Sequence, residues 1–402
     1  MKRIHVAVFN TQPPHLYNGG VERRIIEIGK RLAETVDTVV YSGTKAGFKK
    51  PARFEGVVIV PCFSTDKIFP VDNWFFNRTL FRFCSKIKAD VYEAHTVSGY
   101  GFLKGLAKEG STKPFIHTIH GVLADEYLKS FNEHLFNPRI RLSRFLLSHL
   151  SRIEKETAEY ATLVVTVSKY SFKRIIQLYQ IDENKIRIVP NGVDINKFKP
   201  EKPSKNFKRN LGLKKDQEDC ILFVGNLVPR KGLHLLIKSA KQILKERKSV
   251  KFVIAGDGPL KKSLIRYAKE NKVSENFIFL GRVHDEVLPK LYNCSDIVVL
   301  PSLQEGLGIT LLEAQATAKP VVASNVGGTS DIVLNGETGL LVYPDIHEIA
   351  EAILKLLSNE ALRNQMGSNG RKLVCEKFSW EKCAEKMLNV YREALDVAGS
   401  CS

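Results

Sequence analysis

Two glutamates, Glu305 and Glu313, stand eight positions apart around a glycine-bearing turn that directly follows the apolar run Ile297–Leu300. A buried strand that ends in a Gly-rich turn and opens a helix is where an open α/β sheet binds an anionic ligand. Gly306 and Gly308 let backbone amides approach such a ligand closely. Glu313 can accept two hydrogen bonds from a vicinal diol such as a ribose. The pair therefore suits a nucleotide-sugar, although the spacing alone also fits an ordinary βα unit with solvated carboxylates.

Short apolar runs alternate with stretches of helical periodicity along the whole chain, which predicts parallel sheets wrapped by helices. The first series of runs lies at 4–9, 38–41, 57–60, 90–92, 115–119, 163–167 and 186–189. A charged stretch at 197–210 follows, which we interpret as a linker. The second series lies at 220–224, 252–255, 277–280, 297–300, 320–323 and 340–342. The predicted fold class is therefore α/β, with two Rossmann-like doubly wound domains facing across a cleft, and a final helix that can pack back on the first.

The composition bounds the protein class. The chain has 402 residues, 44% of them hydrophobic, and a net charge of +18. Seven scattered cysteines form no Cys-x-x-Cys pair, so neither a zinc site nor a disulfide framework is predicted. No run reaches the roughly 18 apolar residues that span a bilayer. We expect a cytoplasmic protein that can be peripheral on the inner face of the cell membrane.

The positive charge is concentrated in the first half of the chain. Residues 1–200 contain 31 Lys and Arg against 19 Asp and Glu, which accounts for +12 of the net +18. Such an imbalance implies an anionic partner: membrane lipid, a phosphorylated acceptor or nucleic acid. No recognised nucleic-acid module is present, so a basic nucleic-acid-binding protein is retained only as an alternative and no specific nucleic acid is expected.

Two stretches of this half have the pattern of basic amphipathic helices. Along 74–88, basic residues recur every four positions at Arg78, Arg82 and Lys86. Along 139–153, four arginines are mixed with Phe145 and leucines. Helices of this kind lie on anionic membrane surfaces, but a core-packed helix with a solvated basic face produces the same pattern.

Taken in order along the chain, several short segments resemble one family: the large group of retaining GT-B glycosyltransferases known as group 1, or family 4. The resemblance covers essentially the whole chain and is most specific in its second half. The matching segments are Asn18 to Arg23, Thr118 to Gly121, Val167-Ser168, Val189 to Asp194, Val224-Gly225 through Lys231-Gly232, Gly256 to Pro259, Leu280-Gly281, Pro301-Ser302, Glu305-x7-Glu313, Gly327-Gly328 and Asn335 to Leu340.

The resemblance implies roles for residues in the second half. It assigns Lys231 to the donor diphosphate, with Arg230 beside it. The family usually has an arginine where this chain has Asn226, so Arg230 is a candidate to replace it. Glu313 is implied to bind the ribose hydroxyls and Glu305 to lie beside the sugar. The backbone amides of Gly306, Leu307 and Gly308 are implied to contact sugar hydroxyls or phosphate, and the segment around Val283 to read the base.

In the first half, the resemblance places the Gly19-Gly20 loop near the diphosphate and acceptor. It places His120, at the end of the predicted strand 115–119, against the donor sugar. A glycine pair is otherwise often only a turn, and a strand-end histidine is often a structural residue. His95 and His117 are weaker candidates, and His117 is expected to form a hydrogen bond within the core. The domains implied are an acceptor-binding domain at 1–196, completed by a helix at 380–402, and a nucleotide-sugar-binding domain at 197–379.

The predicted function is transfer of a sugar, with retention, from a UDP- or GDP-linked donor to a lipid-linked saccharide or glycolipid. No Asp-x-Asp occurs in the sequence. We therefore expect chemistry without a metal or other cofactor, in which cationic side chains and helix amino termini stabilise the leaving diphosphate. A sugar-nucleotide epimerase of the same fold, which needs no acceptor, is the alternative enzyme.

Overall fold

The computed structural model describes residues 3–17, 19–65, 70–129, 138–213 and 218–400, and for residues 138–140 the backbone alone. The chain divides into two compact units. Unit 1 comprises Met1–Asn191 and Trp380–Ser402, and unit 2 comprises Gly192–Ser379.

Unit 1 is built on an eight-stranded sheet in the order β3-β4-β2-β1-β5-β6-β7-β8. The pairs are parallel except for β3 with β4, which is antiparallel. Its strands are β1 (Ile4–Asn10), β2 (Val36–Gly43), β3 (Ala52–Phe54), β4 (Val57–Cys62), β5 (Val91–His95), β6 (Phe115–Ile119), β7 (Leu163–Thr166) and β8 (Ile186–Ile188). All five residues of β5 and of β6 are buried, as expected for central strands of a sheet covered on both faces.

Helices cover both faces of this sheet. They are α1 (Gly20–Leu32), α2 (Val71–Arg82), α3 (Tyr100–Glu109), α4 (Leu123–Lys129), α5 (Pro138–Tyr160), α6 (Lys169–Tyr179) and the C-terminal α14 (Trp380–Ser400). One core contains residues of α1 and α14, including Trp380, Met387 and Tyr391. The core on the other face contains Phe76 of α2 and Phe102 of α3. The last helix of the chain is therefore an integral layer of unit 1.

Unit 2 has a six-stranded, fully parallel sheet in the order β11-β10-β9-β12-β13-β14. Its strands are β9 (Cys220–Val224), β10 (Lys251–Ala255), β11 (Phe277–Gly281), β12 (Ile297–Leu300), β13 (Val321–Ser324) and β14 (Gly339–Val342). Its helices are α7 (Lys205–Asn210), α8 (Leu233–Glu246), α9 (Lys261–Glu270), α10 (Leu288–Cys294), α11 (Ile309–Ala316), α12 (Ile346–Leu357) and α13 (Glu360–Lys377). The strand order reverses direction between β9 and β12, so the carboxyl ends of these two strands form a topological switch point.

Each predicted apolar run corresponds to a strand, and the α/β class with two parallel-sheet units is confirmed. One clear difference between predicted and observed strand bounds is at the run 90–92. The strand there extends over Val91–His95 and includes Glu93 and His95. These polar residues interrupt the apolar pattern, yet both are buried. The short edge strand Ala52–Phe54 was not predicted, since three residues with an exposed Arg53 have no apolar signature.

The start of unit 2 differs from the predicted boundary at residue 197. Unit 2 begins at Gly192, and the stretch 197–210 is part of it rather than a free linker. The Val193 amide donates to the Phe378 carbonyl, and Arg371 donates to the carbonyls of Ile195 and Phe198, so this segment is bonded to the unit that follows. Part of it also forms α7, which Ser204 caps at its amino terminus.

The predicted basic helix at 74–88 ends at Arg82. Phe83 has non-helical backbone angles, and a 3₁₀ turn, Cys84–Lys86, follows. The buried Cys84 lies so close to Gly105 of α3 that a side chain on that glycine would collide with it. This close packing accompanies the change of direction that ends α2.

Candidate functional site

Most of the candidate residues of unit 2 lie on loops at the carboxyl edge of its sheet. The loops after β9 and β12 carry the charged candidates, and these two strands are direct neighbours at the switch point. Open α/β sheets bind ligands in the crevice at such a point. Lys231 and Glu305, which are 74 positions apart in sequence, meet there.

Lys231 Nζ lies 2.5 Å from Glu305 Oε2, and both side chains are about nine-tenths buried. Ser302 Oγ donates to the same carboxylate oxygen at 3.2 Å. Burial alone would raise the pKa of Glu305, but the charges of Lys231 and Arg230 and the hydrogen bonds from Lys231 and Ser302 lower it below its ordinary value. Glu305 is therefore ionised at neutral pH, and its partner lysine is a cation held at the sheet edge. Sequence reasoning did not identify the role of Ser302.

Backbone contacts fix the two loops to each other. The Leu303 amide donates to the carbonyl of Arg230 at 2.7 Å. Gly232 has φ of 65°, and a side chain there would overlap the carbonyl oxygen of Pro301. Only glycine permits this approach, since it alone combines a left-handed conformation with the absence of a Cβ. The Arg230 side chain itself is exposed, within electrostatic range of Glu305.

The glycine turn after β12 leads into α11. Gly308 is the residue that precedes the helix, and its φ of 95° and ψ of 69° lie in the left-handed region. Gly306 is half-buried, and the Leu307 side chain is buried, so Leu307 can offer only its backbone to a ligand. The turn thus brings backbone amides and a helix amino terminus to the same edge of the sheet as Lys231.

The loop after β13 contacts the backbone of Glu305. Its Gly328 amide donates to the Glu305 carbonyl at 3.2 Å. Gly327 has φ of 59°, and a Cβ at this position would overlap the same carbonyl oxygen. The backbone of Glu305 is therefore held by a glycine that no larger residue can replace without displacing the loop.

Gly327→Ala is expected to destabilise unit 2 by several kcal/mol, because a left-handed alanine costs about 1–2 kcal/mol and the overlap with Glu305 adds to it. The matched control is Gly336→Ala, since Gly336 has φ of 82° and a Cβ there would meet nothing within 4 Å. Urea unfolding of the two variants separates the cost of conformation from that of contact. Equal losses of stability would contradict the proposed packing of Gly327 on Glu305.

Glu313 lies within α11 and is only 2% exposed. Its Oε2 accepts a hydrogen bond of 2.7 Å from the hydroxyl of Tyr292, a fully buried residue of α10. Tyr292 was not a candidate from sequence, where it was only one more aromatic residue of a helix. The hydroxyl orients the Glu313 carboxyl group, and it satisfies part of the hydrogen-bonding capacity of this buried polar side chain.

Two further candidates lie at the same edge of the sheet. Asn226 follows Gly225 at the end of β9 and is exposed. Val283 is half-buried and stands two residues beyond the end of β11. Of the candidates in unit 2, the structure thus brings Lys231 and Glu305 into direct contact, with Arg230 within electrostatic range of Glu305. The others lie on neighbouring loops or, for Glu313, in α11.

The candidates of unit 1 lie at the carboxyl edge of its own sheet. Gly19 is the N-cap residue of α1, and the helix begins at Gly20. A Cβ on Gly19 would overlap the carboxylate of the buried Glu22. Asn18, the first residue of the same motif in this chain, lies outside the described residues.

His120 directly follows β6 and is half-buried, with its Nε2 2.9 Å from Nδ1 of His95. Burial, then the nearby His95, Arg24 and His117, hold its pKa well below the ordinary value, so the ring is neutral at pH 7. His117 is fully buried and bonds the Thr96 carbonyl through Nε2 at 2.5 Å, which confirms its expected place in the core.

The part of the chain that the structure describes lacks a cluster of metal ligands. It contains no group of three or more His, Cys, Asp or Glu side chains arranged to hold a metal ion. The charged groups around the turn after β12 are instead one carboxylate and two cations.

Comparison with known proteins gives consistent matches over both units. A family model described as Glycosyltransferase Family 4 matches residues 18–197, and one described as Glycosyl transferases group 1 matches residues 204–373. An uncharacterised glycosyltransferase of Methanocaldococcus jannaschii is 38% identical over 242 residues, which cover 59% of this chain and 61% of that protein.

A second relative is matched over more of its length. The UDP-Gal:alpha-D-GlcNAc-diphosphoundecaprenol alpha-1,3-galactosyltransferase of Escherichia coli is 30% identical over 320 residues, 78% of each chain. Among solved structures, sucrose-phosphate synthase from Thermosynechococcus elongatus superimposes with a TM-score of 0.83 at 21% identity, covering 97% of this chain and 99% of that one. The structural likeness confirms the expected GT-B fold, and the two family models and the E. coli relative show that the chain belongs to the group 1 glycosyltransferases.

Proposed function

We propose that this protein transfers a sugar from a nucleoside diphosphate sugar to an acceptor, and that the donor diphosphate binds beside Lys231. The observation that carries the proposal is the buried Lys231–Glu305 pair at the switch point of unit 2. A largely buried lysine whose charge is fixed beside a glycine turn and a helix amino terminus forms a site for a multiply charged anion.

In the proposed reaction, the bond between the anomeric carbon and the diphosphate oxygen breaks and a bond from an acceptor oxygen to the same carbon forms. The acceptor proton passes to the leaving diphosphate, and the nucleoside diphosphate departs. Negative charge grows on the leaving oxygens, so Lys231, Arg230 and the amides of Gly306 to Gly308 stabilise the transition state more than the ground state. Retention of anomeric configuration is proposed from the family resemblance.

The roles of the carboxylates differ. We assign Glu313 to the ribose hydroxyls because it is a buried acceptor oriented by Tyr292. Glu305 is assigned to the sugar side, where it also holds Lys231 in place. His120 is proposed as the residue of unit 1 that contacts the transferred sugar, and Val283 as part of the base-reading segment.

The donor and acceptor classes are proposed from the relatives. The E. coli relative is named for a UDP-linked donor and a sugar on a diphosphate lipid. We therefore propose a UDP- or GDP-linked donor and a lipid-linked saccharide or glycolipid acceptor. In the described part of the chain, no helix combines the length and the apolar character needed to cross a membrane.

An exposed surface at α2 supports action beside a membrane. Phe76 and Leu80 of the predicted amphipathic pattern are buried, but Trp74, Phe81 and Phe83 are 55%, 42% and 45% exposed. Basic side chains lie against these rings, with Arg78 5.4 Å from the Trp74 ring and Lys86 5.3 Å from the Phe83 ring. Aromatic rings beside cations are the groups that anchor proteins at the headgroup level of an anionic bilayer. On α5, Leu142 and Phe145 are also exposed.

The triple variant Arg78→Ala, Arg82→Ala, Lys86→Ala is expected to bind phosphatidylglycerol vesicles about 100-fold more weakly, since each basic residue near the surface contributes about 1 kcal/mol. Co-sedimentation at low salt measures the effect. The matched control removes three exposed cations of α9, Lys262, Arg266 and Lys269, and should bind like the wild type. Equal losses in the two triple variants would contradict a specific membrane surface at α2.

Metal independence is proposed from the cationic side chains around the turn. Excess EDTA is expected to change the transfer rate less than two-fold, because Lys231 and Arg230 provide the positive charge that a divalent ion would otherwise supply. A loss of activity that Mg²⁺ or Mn²⁺ restores would show that the diphosphate needs a metal.

The proposal is tested by thermal stabilisation of the purified protein with UDP, GDP and ADP and their sugar conjugates. A ligand that binds only the folded protein at 100 times its Kd adds about 2.7 kcal/mol of stability. One nucleotide class should raise Tm, and the shift should be absent in Glu313→Ala. No shift with any nucleotide would contradict a donor site in unit 2.

A further inference from the structure

A continuous set of polar side chains runs through the interior of unit 1 to His120. Glu93 and His95 occupy alternate positions of β5, so both side chains lie on the same face of the sheet. Thr118 stands directly opposite His95 on β6. Tyr391 reaches this face from α14, 298 positions away from Glu93. All four residues are buried, with exposures of 3% or less.

These side chains contact one another in a series that leads from Glu93 through His95 to His120. Thr118 Oγ1 donates to Glu93 Oε1 at 2.7 Å, and the Tyr391 hydroxyl donates to Oε2 at 2.6 Å. Glu93 Oε1 lies 3.5 Å from Nε2 of His95. Nδ1 of His95 lies 2.9 Å from Nε2 of His120, and the two rings are nearly parallel, with centroids 5.2 Å apart. The set therefore ends at the one member that is partly exposed.

A buried cation compensates the carboxylate. Arg24 of α1 is 0% exposed and donates to the carbonyls of Val189 and Pro190 and to the Asn191 side chain. Burial raises the pKa of Glu93, while the hydrogen bonds from Tyr391 and Thr118 and the charge of Arg24 oppose this rise. Two donating hydroxyls and a buried guanidinium are the surroundings of an ionised carboxylate, since a buried charge needs hydrogen bonds and an opposite charge.

These groups do not form a ligand site of their own. Arg24, Glu93, His95 and Tyr391 line a cavity of about 10 Å³, which is room for at most a single water molecule. No sugar or nucleotide enters such a space, so any influence on a substrate must pass through His120.

We propose that Glu93 and His95 are positioning residues that fix the tautomer and the ring orientation of His120, with its Nε2 protonated and its Nδ1 left as a hydrogen-bond acceptor. The proposal rests on the proposed function in one respect, because that function supplies the substrate that His120 contacts. Tyr391 and Thr118 complete the arrangement by holding the Glu93 carboxylate, so the last helix of the chain contributes to the site of unit 1.

The tautomers follow from donor and acceptor rules. An ionised carboxylate only accepts, so the contact of 3.5 Å between Glu93 Oε1 and His95 Nε2 favours a proton on that nitrogen. Burial, together with the charge of Arg24 and the neighbouring His117, holds the pKa of His95 well below its ordinary value, and a neutral ring has one proton. Nδ1 of His95 is then an acceptor, and the proton shared with His120 belongs to Nε2 of His120.

The direct test is ¹⁵N NMR of the wild-type protein with labelled histidine, in which two-bond couplings distinguish the two tautomers. The His120 signals are assigned by their loss in His120→Gln. We expect His95 and His120 to be neutral and protonated at Nε2. A His120 ring that is protonated at Nδ1, or that exchanges between tautomers, would overturn the proposal. This readout needs no enzymatic activity, so it stands apart from the fate of the proposed function.

Two variants of His95 test whether its contact with His120 affects the rate of sugar transfer. His95→Gln keeps an acceptor for His120 and a donor for Glu93, whereas His95→Phe keeps a ring but neither bond. Misplacement by about 1 Å at a reacting centre can lower the rate about 100-fold. We expect His95→Phe to lower kcat by this factor with the donor KM unchanged, and to release the His120 tautomer. His95→Gln should retain most of the activity.

Equal losses of kcat in both variants, with the His120 tautomer unchanged, would show that His95 is only structural and overturn the proposal. Tyr391→Phe offers a second route that leaves both histidines intact, and should lower kcat less than His95→Phe. If His120→Gln transfers sugar at the wild-type rate, His120 does not have the assigned role in the reaction. The tautomer of His120 in the wild type still shows whether Glu93 and His95 position its ring.

Discussion

Replacing Lys231 with alanine is expected to lower kcat about 10²- to 10³-fold, the usual effect of removing one preorganised group that stabilises developing negative charge. Lys231 is the buried cation at the switch point and lies against Glu305. Steady-state kinetics with a fixed acceptor measure the change. Binding of the donor in the ground state should weaken less than kcat falls, because the diphosphate gains charge on its leaving oxygen only as the bond breaks.

The variant also leaves the Glu305 carboxylate buried without its partner. Removing one member of a buried ion pair costs several kcal/mol, since the remaining charge is no longer compensated. The double variant Lys231→Ala, Glu305→Gln has no buried charge without a partner, so its stability should exceed that of Lys231→Ala. Its rate of sugar transfer should stay as low as that of Lys231→Ala. Lys238→Ala, at an exposed position of α8, is the matched control for loss of a lysine. Full activity in Lys231→Ala would contradict the assigned role.

Glu313→Ala is expected to weaken donor binding about 10- to 150-fold. A hydrogen bond to a charged group contributes about 1.5–3 kcal/mol, and alanine removes the proposed acceptor of the ribose hydroxyls. Isothermal titration with the nucleotide identified by thermal stabilisation measures Kd. Glu351→Ala, at an exposed position of α12, should bind like the wild type.

A ligand lacking the ribose hydroxyls separates this role from a general disturbance of α11. The wild type should bind the 2′,3′-dideoxy nucleotide about as weakly as Glu313→Ala binds the natural one. The variant should bind both forms almost equally, because the interaction is already absent. A variant that still distinguishes the two forms would show that another residue binds the ribose.

The strands were the most predictable part of the structure. Each apolar run at the centre of a sheet forms a strand because burial on both faces selects continuous β-branched and aliphatic residues, as in Ile297–Leu300. Glu305 and Glu313 could be placed in relation to this strand because the turn and α11 follow it without interruption. Local sequence determines local geometry in this case.

Contacts between distant segments were less accessible. The approach of Lys231 to Glu305 depends on β9 and β12 being neighbours, which a repeating pattern of strands and helices does not specify. Tyr292 contacts Glu313, and Tyr391 contacts Glu93, through tertiary packing that gives no periodic signal. The Glu93-x-His95 spacing did contain a clue, since alternate residues of a strand share a face, but the polar pair obscured the strand itself.

Surface patterns on α2 illustrate a further limit. Helical periodicity indicated a helix on which Arg78 and Arg82 are exposed, but it extended the basic face to Lys86, which lies beyond the end of α2. It also did not indicate which apolar residues are buried. Phe76 and Leu80 pack into the core, while Trp74 and Phe81 remain exposed. The balance depends on how α2 lies on the sheet and on α3, which the pattern of one helix does not contain.

The measurement that tests the central claim most directly is sugar transfer by the purified protein in excess EDTA. Radiolabelled UDP- and GDP-sugars are supplied with a polyprenyl diphosphate sugar or a free saccharide as acceptor. The account predicts label in the acceptor fraction from one donor class, an equal amount of nucleoside diphosphate, and an anomeric configuration that NMR shows to be retained. An epimerised nucleotide-sugar formed without acceptor, or no turnover of either donor class, would contradict it.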